Sequence, residues 1–172
     1  MPISADGGAK ATAPASIGAR SDGGGPKINP ATGLSTDYLN HFTEAVMLLE
    51  LVPTMPECID DLRQWQPRTY AEHFRASHFS NRDTIIATYQ AAAPKICDAL
   101  HRNAELLNAI TKRTCELVLQ YAGMAEIDAI ARRALERLRP LIARTAAIIN
   151  GTPPEATDQY SVQAAIDAMF GR

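Results

Sequence analysis

Nothing in this 172-residue chain alternates apolar with polar positions over a useful length, so no strand is predicted. No apolar run approaches the roughly 18–20 residues that a membrane span needs. The densest block, Ala45 to Leu49, is bracketed by Glu44 and Glu50. A basic start followed by an apolar block is also missing, which argues against a secretory signal. The three cysteines, Cys58, Cys97 and Cys115, are odd in number and widely spaced. Neither a disulfide framework nor a zinc knuckle has that arrangement, and a reducing cytoplasm is the compartment it suggests. There is no Gly-x-Ser-x-Gly, no glycine-rich phosphate loop ahead of a helix and no Cys-x-x-Cys. No catalytic residue and no cofactor are therefore expected. A formal net charge of -2 gives a nucleic-acid partner no help either.

What the chain does have is helical period. From Pro94 to Tyr121, Ile96, Leu100, Asn103, Leu107, Ile110, Thr114, Leu117 and Tyr121 recur at three- and four-residue steps. That spacing lays one stripe along one side of a helix. Gly123 then offers the left-handed position at which helices stop. A second long stretch, about 125–150, carries Ile127, Ala131, Ala134, Leu138, Leu141 and Ile148. Pro140 should bend this helix without ending it, and Gly151 with Pro153-Pro154 should close it. A short link between two long amphipathic helices makes them antiparallel neighbours. The fold class is all-α, a helical bundle built on an antiparallel hairpin of about 94–121 and 125–150.

Shorter helices precede the hairpin. Ser35 or Thr36 can cap one carrying Tyr38, Phe42, Ala45, Val46, Leu49 and Val52 to its end at Pro53. Thr54 with Glu57, and Thr69 with Glu72, have the capping-box form, and Ser80-Asn81-Arg82-Asp83 is a weaker start because Asp replaces Glu. Proline at 94 predicts a break before the long hairpin helix. Residues 1–33, rich in glycine, alanine and serine, read as a disordered leader. The bundle domain would then span 34–152, followed by a linker and a short C-terminal amphipathic helix in 153–172.

Two pairs of side chains have metal-ligand character. His41 with Glu44, and Asp98 with His101, are each three residues apart, so each pair faces one way on its helix. On facing helices they could make a four-ligand site, the alternative to solvated or locally bonded side chains. His73 and His78, five apart, suit packing and capping better than a zinc pair. Charge is also uneven. Between Asp37 and Asp61 there are six acidic residues and no Lys or Arg, whereas Lys112, Arg113, Arg132, Arg133, Arg137, Arg139 and Arg144 dominate the hairpin. Opposed patches could pair within the chain or with a second copy of it.

The last residues add a candidate recognition element. Val162, Ile166, Met169 and Phe170 lie on one face of the segment Ser161 to Phe170. The segment resembles the short amphipathic peptide with which flagellar switch proteins and a chemotaxis phosphatase dock onto response regulators, read approximately Ser-Gln-x-x-Ile-Asp-x-Leu-Leu. The resemblance covers about ten residues and implies a groove-binding end helix. The same spacing also suits packing back on the bundle. The leading expectation is a non-enzymatic, adaptor-type regulatory protein acting through protein–protein contacts. A metal-binding bundle and a phosphosignalling accessory that docks a receiver domain are the alternatives.

Overall fold

The computed structural model describes residues 25–152 together with Ala164, Asp167 and Ala168. Six helices make up this part: α1 (Asn40–Leu51), α2 (Ile59–Gln64), α3 (Tyr70–Ala76), α4 (Arg82–Ala91), α5 (Pro94–Gln120) and α6 (Glu126–Ile149). Short 3-10 turns at Thr36–Leu39 and Pro56–Cys58 lead into α1 and α2. The described residues contain no strand, and the chain is the all-α bundle that its periodicity predicts. No helix among them is long and apolar enough to cross a membrane.

The α5–α6 hairpin follows from its stripes. Leu100, Asn103, Leu107, Ile110 and Thr114 are buried on α5, facing Ala131, Ala134, Leu138 and Ile148 on α6. Pro94 stands in the first turn of α5, where its missing N–H costs nothing, and Ala93 before it is extended at ψ 130°. The predicted break is there. Exposed Pro140 lies inside an uninterrupted α6. At its end Gly151 takes φ 91°, Gly151 N–H donates to Ile148 O at 3.1 Å and Thr152 N–H to Ala147 O at 2.9 Å. These two bonds satisfy carbonyls that the last turn would leave orphaned.

The third long helix is α1, which runs antiparallel to α6. Thr32, just ahead of it, donates from Oγ1 to Ile149 O at 2.6 Å, and near its other end Glu50 accepts from Arg139. One link between the acidic and basic regions is therefore made within the chain. Helix α2 rests on both α1 and α5. Ser35 caps the turn before α1 by accepting from Asp37 N–H, and Thr69 with Glu72 forms the expected capping box of α3. Thr54 and Glu57 do not form theirs. The Thr54 hydroxyl instead donates back to Leu51 O at 3.1 Å, and the chain enters α2 through the turn that Pro56 opens. Asn81 makes no side-chain cap; its amide donates to Pro26 O at 3.1 Å.

That last bond corrects the expected leader. Packing starts at buried Pro26 rather than near Ser35. Thr32 and Leu34 are buried, and Gly33 sits at φ 73° with the position of a Cβ only 3.0 Å from Thr88 O. Glycine fits there because a side chain would be both strained and crowded. The remainder of the expected leader, 1–24, lies outside the described residues.

Candidate functional site

Helix α1 uses two faces. Phe42, Ala45, Val46 and Leu49 enter the core, as their spacing predicts. His41 goes in with them, at 6% exposure. Its ring stacks on Trp65 at 4.8 Å and 15°, and Trp65 Nε1–H donates to His41 O at 3.1 Å. Phe42 meets His41 edge-on at 5.2 Å, and His73 lies 6.0 Å away. Tyr38 meets both Phe42 and His73 edge-on and donates from its hydroxyl to Arg68 O at 2.8 Å. The Tyr70 hydroxyl accepts from Ser35 N–H at 2.8 Å. This corner holds α1, α2 and α3 together through aromatic edges and backbone bonds.

The charged form is disfavoured at both of its imidazoles. Burial, reinforced by the neighbouring His73 and Arg68, lowers the His41 pKa to about 4. Burial, with Arg68, lowers that of His73 as well. His41 Nε2 and His73 Nδ1 are buried without a hydrogen-bond partner among the described residues. Burial also raises the Cys115 thiol to about 12, which disfavours its thiolate.

The four expected metal ligands do not come together. His41 is buried against Trp65, whereas Glu44, Asp98 and His101 are exposed. His101 Nε2 lies 3.2 Å from Glu105, one turn on, and not on Asp98. Among the described residues no group of three or more His, Cys, Asp or Glu side chains converges as a donor set. His78 is exposed while His73 packs on Tyr38 and Phe74, so the two histidines serve different surroundings. The expected partner-binding residues Val162, Ile166, Met169 and Phe170 lie outside the described residues.

The second face of α1 is the one the sequence reading missed. Met47 and Leu51 are 51% and 40% exposed, and Met55 beyond the helix is 42% exposed. Met55 N–H donates to Leu51 O at 2.7 Å, so the turn after α1 ties Met55 back to the last turn of the helix. Half-buried Leu48 adjoins them. At the start of this stripe, α1, α2 and the loop after α2 line an open cavity of about 220 Å³ walled by His41, Glu44, Leu48, Asp61, Trp65 and Arg68. Glu44, Glu57 and Asp61 have no ion-pair partner among the described residues, unlike Glu50 and Asp60, which pair with Arg139 and Arg63. The signal for this face was an excess of apolar residues. From Val46 to Val52 all but Glu50 are apolar, more than one buried stripe uses.

Comparison with protein-family models, curated proteins and solved structures gives no match to the chain.

Proposed function

We propose that the chain is a non-enzymatic, adaptor-type helical protein that acts through protein–protein contacts. One observation carries this reading: Met47 and Leu51 on α1, with Met55 just past its end, form an exposed apolar patch on a helix that already buries its other face. Single exposed apolar side chains are ordinary, but three together are what a partner helix or groove covers. Methionine suits such a surface, because its unbranched thioether adapts to different shapes. The exposed carboxylates beside the line add orientation to apolar attraction.

The test is photo-cross-linking from position 51 in the native cell, with position 102 on exposed α5 as the control site. A discrete adduct with a second polypeptide, formed from position 51 and lost on Met47→Asp, is the expected result. Equal, diffuse labelling from both positions overturns the reading.

A further inference from the structure

The cavity and the apolar line are parts of one surface. Glu44, Leu48 and Leu51 follow one another at steps of four and three residues, so they share one side of α1, and exposed Met55 follows just past its end. Glu44 stands at the cavity wall, and Leu48 belongs to the cavity and adjoins the line. A partner lying along Met55 and Leu51 therefore reaches the cavity at its far end. Across from Glu44, Asp61 supplies a second carboxylate, and Arg68 supplies the one guanidinium in the cavity wall. Glu57 lies exposed near the Met55 end and is unpaired among the described residues. The surface thus offers apolar contact along its length and excess negative charge at both ends.

We infer that this surface receives a basic amphipathic helix of another protein, whose apolar stripe covers Met47, Leu51 and Met55 while a Lys or Arg enters the cavity between Glu44 and Asp61. The inference rests on the interaction reading above and names the chemistry of the partner. A helix fits the surface because apolar anchors one turn apart match the spacing of Met47 and Leu51 on α1. A cation is selected because two carboxylates face one guanidinium in the cavity wall, and a second anion would be repelled. The chain's own last segment suits the surface poorly. Between Pro153 and Arg172 it carries Glu155, Asp158 and Asp167 against a single arginine.

Trp65 makes the inference measurable. It is the only tryptophan in the chain, is 8% exposed and lines the cavity, so its emission reports an occupant. The probes are two designed helical peptides of about 20 residues, identical in their leucine stripe, with Lys in one and Glu in the other at the rim positions. Trp65 emission is titrated with each peptide, using full-length protein at low and high salt. The basic peptide should saturate the signal, binding about tenfold or more tighter than the acidic one and weakening as salt rises. The paired change Glu44→Gln with Asp61→Asn should remove most of that preference, and Met47→Ser with Leu51→Ser should weaken both peptides. All four side chains are exposed, and unchanged helical circular dichroism confirms that each variant is folded.

Equal affinity for both peptides, lost with Met47→Ser and Leu51→Ser, overturns the basic partner but leaves the interaction surface standing. Binding of neither peptide overturns the basic partner, and it overturns the interaction reading as well if position 51 yields no adduct in the cell. A dimer in sedimentation that Leu51→Ser dissociates makes a second copy the occupant, and it too overturns the inference.

Discussion

The α5–α6 hairpin and the corner where α1, α2 and α3 meet are built by different rules. In the hairpin the contacts repeat with the helix, and the core face holds aliphatic and small side chains such as Leu107, Ile110, Ala134 and Leu138. Charges on its outside pair one turn away, as Arg113 does with Glu116 and Arg132 with Asp128. In the corner nothing repeats. His41 stacks on Trp65, which is 24 residues away; Tyr38 reaches Arg68, 30 away; and Ser35 reaches Tyr70, 35 away. A periodic face is built by local spacing, whereas an aromatic corner depends on where distant segments are brought. The surface proposed for a partner begins at the second kind of place, since the cavity wall contains His41 and Trp65.

The largest expected effect sets the two regions against each other directly. Leu138→Ala should cost about 2–5 kcal/mol and Trp65→Ala about 3–5 kcal/mol in urea unfolding, because each empties a packed site. Trp65 also gives up its bond to His41 O. A Trp65→Ala cost below about 1 kcal/mol would mean the corner is a loose attachment to an independent hairpin.

A smaller, pH-dependent effect belongs to the corner alone. His41 has its pKa lowered from 6.5 to about 4, so the folded state resists protonation that the unfolded chain accepts. Its contribution is complete above pH 6.5 and is lost as pH falls towards about 4, on the order of 3 kcal/mol over that window. His73 adds to the loss in the same direction. In His41→Phe the decline in urea midpoint between pH 7 and pH 4 should be markedly shallower. An unchanged slope would place the acid sensitivity elsewhere. The smallest effect is expected at the surface of α2, where Asp60 pairs with Arg63 at 2.8 Å but both side chains are largely exposed. Asp60→Asn should change stability by less than about 0.5 kcal/mol.

The same contrast explains what could be read from the residues in advance. Gly123 and Gly151 do take positive φ, Pro94 does begin its helix, and Thr69 with Glu72 does cap α3, because each is a decision made within a few residues. Thr54 fails as a cap for a local reason too: its hydroxyl finds Leu51 O first. His41 looked like a solvated side chain beside the stripe, and only Trp65, arriving from beyond α2, explains its burial. Composition groups Pro26 and Thr32 with the glycine-rich leader, yet their partners, Asn81 and Ile149, are 55 and 117 residues away. The exposed line on α1 left a trace in its surplus of apolar residues, and its neighbouring carboxylates were visible as an acidic block. Their meeting at one cavity was not.

A partner that covers the outer face of α1 should shield its methionines, and oxidation footprinting reads that shielding residue by residue. Met47, Met55 and Met124 are 51%, 42% and 54% exposed, so Met124 in the hairpin turn serves as an internal reference. In the purified chain all three should oxidise at similar rates. In its native cell extract Met47 and Met55 should slow several-fold while Met124 does not. Met47 and Met55 oxidising as fast as Met124 in both settings would contradict the account.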